Sequence, residues 1–141
     1  MKYICDAPGG LTWFGIETEA EAAQESELMG HAVEKHFLRE MACSRDRYRP
    51  TSRRYIEQDI GLKAHLRRDM PLFLTLRGKD GAAKATAMLA PGGRDDPSFR
   101  VIIVGPNNGD PYADHGAAIE ALGRHFGTTL DRARCYPYNR G

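Results

Sequence analysis

The sequence predicts a single α+β domain over residues 1–141: an antiparallel sheet, built from an N-terminal hairpin and a three-strand meander, with two or three packed helices in the order ββ-α-α-βββ-α-β. Three observations carry this. The apolar residues follow strand-like spacing over 2–17 and 72–104 and helical spacing over 18–69 and again over 118–126. Gly78-Lys79-Asp80-Gly81 separates two short apolar runs, and an Asp-Gly pair supplies the positive φ that a tight hairpin needs. The composition, 41% hydrophobic and 28% charged, is that of a chain able to bury a core rather than of a disordered one.

The elements follow in order. Lys2 to Cys5 and Leu11 to Glu17 are β-like runs around Pro8-Gly9-Gly10, which read as a hairpin. Thr18 and Glu21 have capping-box spacing, and Met29, Val33, Phe37 and Met41 recur every four residues, so one amphipathic helix is expected over 18–43. Pro50 ends any helix that reaches it. Thr51 or Ser52 caps a second helix over 53–69, with Tyr55, Ile56, Ile60 and Leu66 as its inner face. Leu72 to Leu76 and Ala82 to Leu89 form the clearest hairpin. The nearly unbroken apolar run from Phe99 to Val104 suits a central strand covered on both faces. Ala118, Ile119, Leu122 and Phe126 make the stripe of a last helix closed by Gly127, and a short strand around Cys135 and Tyr136 follows. Val33, Phe37, Leu74, Ile103, Leu122 and Phe126 are expected to share one core.

Composition also narrows the function. A net charge of +1 excludes a surface that is basic throughout, so affinity for a polyanion must come from a local patch. The first ten residues have no signal-peptide pattern, and no apolar run has the length of a membrane span. Cys5, Cys43 and Cys135 are odd in number and widely spaced, which fits reduced thiols and a cytoplasmic location. No cofactor fingerprint is present. His31 and His36 are five residues apart and diverge on a helix, so no metal site is expected.

Two groups of residues attract attention. Arg45, Arg47, Arg49, Arg53 and Arg54 crowd together with Tyr48 and Tyr55, and guanidinium groups bind phosphate bidentately while tyrosines stack on bases. They are candidate anion-binding residues for a polyanion or nucleic acid, with a binding constant that falls steeply with salt. The bland alternative pairs them with the acidic first helix, Glu17 to Glu27. The second group is the loop of Asn107, Asn108, Gly109 and Asp110 with Asp114 and His115 beyond it, where a strand gives way to a helix N-terminus. It lacks the lysine and hydroxyl of a P-loop, and its aspartates stand where a phosphate would. A capped turn is the reading these residues favour.

The succession of two helices, three antiparallel strands, a glycine-containing loop, a helix and a strand resembles that of the GNAT acyltransferases over residues 18–138. In that family a basic glycine loop after the fourth strand holds the pyrophosphate of coenzyme A. The matching position here reads Pro106-Asn107-Asn108-Gly109-Asp110-Pro111, with one glycine, no arginine and a proline that offers no amide. The resemblance implies a cleft where the strands at Val104 and Cys135 splay apart, and Tyr136 or Tyr138 as the acid for a leaving thiolate. No catalytic spacing stands out, so the sequence by itself favours a small binding or interaction module for a protein or small anionic ligand, with no membrane partner. A GNAT-like transferase with a degenerate coenzyme A loop and a nucleic-acid binder are its rivals.

Overall fold

The computed structural model describes residues 1–140. Its five strands form one sheet in the order β1-β2-β3-β4-β5, each antiparallel to its neighbours. β1 (Lys2–Ala7) and β2 (Leu11–Ile16) are the expected hairpin, turned by Gly9 and Gly10 at φ 81° and 74°. β3 (Leu72–Arg77) and β4 (Ala83–Leu89) are the second, with Gly81 at φ 82°. β5 (Ile102–Val104) completes the meander.

The described residues form four α-helices, one more than the upper expectation, because the predicted helix over 18–43 is two. α1 (Glu19–Met29) opens with the full capping box, the Thr18 hydroxyl accepting from the Glu21 amide and the Glu21 carboxylate from the Thr18 amide. It stops at Gly30, which takes φ 65°, and α2 (Val33–Arg47) starts three residues later. The cause is tertiary as well as local. A Cβ on Gly30 would lie 2.3 Å from Asn107 Oδ1, so the loop after β5 packs into the break. α3 spans Tyr55–Asp69 and α4 spans Tyr112–Phe126. No helix among the described residues is long and apolar enough to cross a membrane.

The apolar run at 99–104 was expected at the sheet centre and lies at its edge. β3 is the central strand, and β5 keeps only three residues. On the far side of β5 the expected last strand shrinks to one parallel rung: the Tyr136 amide donates to the Val101 carbonyl at 2.8 Å, and the Ile103 amide to the Tyr136 carbonyl at 3.4 Å. The chain then coils into a short 3-10 helix, Tyr138–Arg140, so the pairing goes no further.

The expected single core is two. Alternation along the strands sends Trp13, Leu74, Leu76, Ala87 and Ile103 to one face, where α4 covers them with Ala118, Ile119 and Leu122. It sends Ile16 and Phe73 to the other, against Ala22 of α1 and Val33 and Phe37 of α2. Phe37 meets Phe73 edge-to-face at 5.2 Å. Phe73 and Leu74 are sequence neighbours in different cores, because a strand turns consecutive side chains to opposite sides.

The predicted inner face of the second helix is overturned at three of its four residues, and Leu66 alone is half-buried. Tyr55, Ile56 and Ile60 of α3 are 85%, 73% and 61% exposed. α3 instead turns its polar side to α2. Ser44 Oγ donates to Asp69 Oδ2 at 2.5 Å, His65 Nε2 bonds the Ser44 carbonyl at 2.8 Å, and the Tyr48 hydroxyl reaches the Gln58 carbonyl. A Cβ on Gly61 would meet Tyr48 Oη at 2.2 Å, so the glycine lets the tyrosine lie across the helix.

Candidate ligand cleft

The break after α1 sets the geometry of the most distinctive polar group in the molecule. Ala22, Glu25 and Met29 form the buried stripe of α1, so Glu25 enters the interior with no exposed surface. Its Oε1 accepts from Arg77 Nη2 at 2.7 Å, and its Oε2 accepts from the Thr86 hydroxyl. Arg77 also donates from Nε to Thr75 Oγ1 at 3.0 Å and from Nη1 to the Gly81 carbonyl. Every buried side-chain polar atom among the described residues has a partner, which is the condition for an interior ion pair to be tolerated.

His31 extends this network to the surface of a cleft. Its Nε2 lies 3.0 Å from Thr86 Oγ1. Thr86 has one hydroxyl proton and gives it to Glu25, so Nε2 of His31 must be the donor and the neutral ring is the Nε2–H tautomer. Burial pushes the His31 pKa below the usual imidazole range, with the Glu25 charge opposing that shift.

The cleft has a volume of about 700 Å³ and lies between the N-terminal half of α2 and the strands β4 and β5. Phe73, Met88, Ile102 and Val104 give it an apolar floor, and Pro137 lines the side where the last segment leaves β5 after its single rung. The rim is polar. Arg100 stands over the Tyr136 ring at 4.8 Å. Arg39 Nη2 donates to His36 Nδ1 at 2.8 Å. Burial, with Arg39 and Lys35 nearby, holds the His36 pKa below the usual imidazole range. Glu40 is the one carboxylate on the lining, against Arg39 and Arg100.

Of the loop residues singled out in the sequence, Asn108 alone reaches this cleft. Asn107 and Asn108 take positive φ, 55° and 61°, and Asn107 packs against Gly30. The loop spends its own amides: Gly105 donates to the Gly109 carbonyl at 2.7 Å and Gly109 to the Pro106 carbonyl at 3.0 Å. Asp110 accepts from the Tyr112 amide at 2.9 Å and pairs with Arg132. The Tyr138 hydroxyl donates to the Gly109 carbonyl, and its ring lies under Arg132 and edge-on to Tyr112. Asp114 is exposed and His115 half-buried, and neither forms a hydrogen bond or ion pair with Asp110. No three His, Cys, Asp or Glu side chains among the described residues gather as a metal site would require.

All five arginines are exposed, Arg45 and Arg47 in the last turn of α2 and Arg49, Arg53 and Arg54 in the connection to α3. Arg47 pairs with Asp69 at 2.6 Å and Arg54 with Glu57 at 3.2 Å. Hydrogen bonds from Arg47 and Ser44 hold the Asp69 carboxyl below its usual range. Arg49 donates to the Asp46 and Tyr48 carbonyls. Arg45 and Arg53 have no ion-pair partner among the described residues. The alternative pairing with the acidic first helix does not occur among the described residues: Glu21 binds the N-terminal ammonium, Glu25 binds Arg77, and Glu17, Glu19 and Glu27 form no ion pair with the segment.

Sequence reasoning missed Glu25, Arg77, Thr86 and His31. A signal for one of them existed: Glu25 sits three residues after Ala22 and four before Met29, a carboxylate on the apolar stripe. Its partners come from strands 50 or more residues away, where no local pattern marks them. No family model matches the chain, and neither a curated protein nor a solved structure matches it.

Proposed function

We propose that this protein is a small-ligand binding module whose ligand, an anion with an apolar body, occupies the cleft between α2 and the β4–β5 edge. The observation that carries the reading is the pairing of an apolar floor with a rim on which Arg39 and Arg100 outnumber the single carboxylate of Glu40. Apolar walls with a few placed polar groups are the usual chemistry of small-molecule sites, and guanidinium groups suit carboxylate or phosphate. The test is thermal stabilisation against a panel of aliphatic and aromatic carboxylates and organic phosphates, with neutral and cationic analogues alongside. An anion in excess should raise the melting temperature by mass action. Val104→Trp, which fills the cleft, should abolish that rise, and Arg100→Glu should weaken it. Stabilisation by none of the anions would sink the reading.

A second reading, acyl transfer in the manner of the GNAT enzymes, is favoured by one observation. The cleft opens where β5 and the segment after α4 part following a single parallel rung. In that reading His31 would take the proton of the nucleophile and Tyr136 would serve the leaving thiolate. The loop argues against coenzyme A held in the family's way. Its amides at Gly105, Gly109 and Tyr112 are committed, and the Asp110 side chain, bonded to the Tyr112 amide and to Arg132, already occupies the helix N-terminus where a phosphate would sit. Isothermal titration with acetyl-coenzyme A should therefore give no binding through the loop. Micromolar binding that vanishes with Gly109→Trp would promote the transferase.

A further inference from the structure

We infer that an anion entering the cleft is bound together with a proton, and that His31 rather than His36 takes that proton up; this rests on the ligand reading above. The two imidazoles lining the cleft differ in what a second proton costs them. His31 Nε2 donates to Thr86 Oγ1 at 3.0 Å, and the Thr86 proton is already given to Glu25. Nδ1 is then the ring atom left to be protonated, and a proton there breaks neither bond. His36 is held the other way. A guanidinium has no acceptor, so Arg39 Nη2 must donate to His36 Nδ1, 2.8 Å away. His36 can take a second proton only by giving up that bond.

The surrounding charges divide the rings in the same sense. Burial keeps His31 neutral, while its own carbonyl and Glu25 of α1 favour the imidazolium and the His36 ring opposes it. Glu25 shares its charge with Arg77 of β3 at 2.7 Å. Around His36, burial is joined by Arg39 and Lys35 in opposing the imidazolium, and Glu40 favours it. β3 and β4 face the cleft with the uncharged Phe73, Thr86, Ala87 and Met88, and the β5 side adds Arg100 and Tyr136. An anion seated among these groups brings negative charge to His31 and so favours its protonated form. The coupling is reciprocal: protonation of His31 tightens the anion by the same factor.

Isothermal titration with naphthalene-2-sulfonate and with octane-1-sulfonate tests this. A sulfonate keeps its charge from pH 5 to pH 8, so any pH dependence belongs to the protein. Affinity should rise about fivefold or more as pH falls across that range. Heats compared in two buffers of different ionisation enthalpy should show net proton uptake on binding. His31→Gln, whose amide can still donate to Thr86 but cannot titrate, should flatten the profile. His36→Gln should keep it, and Arg100→Gln should weaken binding at every pH without changing the slope. A flat profile without proton uptake, or a profile that survives His31→Gln, would overturn the inference and leave the ligand reading standing. Failure of both sulfonates to bind at any pH would overturn the two together.

Discussion

The two faces of the sheet are covered by helices of similar length and sealed in different ways. On one face α4 buries Ala118, Ile119, Leu122 and Gly123 against an interior that is almost wholly hydrocarbon. On the other, α1 and α2 bury a smaller apolar cluster beside the Glu25–Arg77–Thr86 network, and α3 buries no residue fully. The lesson is that an apolar stripe predicts burial only where a complementary surface is within reach. Leu122 and Ile60 occupy similar positions in helical patterns. One has the sheet beneath it and the other has solvent.

The comparison can be broken at several points, the largest effect first. Arg77→Met leaves the Glu25 carboxylate buried and uncompensated, so a loss of about 3–5 kcal/mol is expected in urea denaturation. A neutral result would mean that the polar face tolerates hydrocarbon as well as the other face does. Leu122→Ala removes a fully buried side chain from the α4 face and should cost about 2–5 kcal/mol by the same assay. Phe126, only partly buried, should cost less than Leu122.

The pH dependence sharpens the contrast further, because the titrating histidines line the polar face. Burial lowers the folded pKa of His31 and His36, so the unfolded chain binds protons more readily than the folded one. Their contribution is therefore complete above the ordinary imidazole pKa of about 6.5 and is lost as pH falls below it. Stability measured at pH 5 should be lower than at pH 7, and His31→Gln should flatten that slope. A slope unchanged in the variant would remove His31 from the account. The smallest effect belongs to α3: Ile60→Ala should change monomer stability by no more than about 0.5 kcal/mol, a small fraction of the Leu122 cost.

Sequence pattern alone reached the fold class, both hairpins, the capping box of α1, the existence and stripe of α4, and the turn residues that join them. These depend on interactions between residues a few positions apart, which spacing records directly. The break at Gly30 was half legible: a glycine inside a helical pattern costs about 1 kcal/mol relative to alanine, which weakens a helix without deciding that it ends. Gly30 ends it in the left-handed conformation, and Asn107, from 77 positions away, fills the space a side chain there would need.

Tertiary structure decided the rest. The division into two cores, the edge position of β5, the outward turn of Ile56 and Ile60 and the assembly of Glu25, Arg77, Thr86 and His31 all depend on which distant surfaces meet. Periodicity states that a helix or strand has two kinds of face. It contains no information on what lies opposite either of them, and burial, ion pairing and the cleft are properties of that opposition.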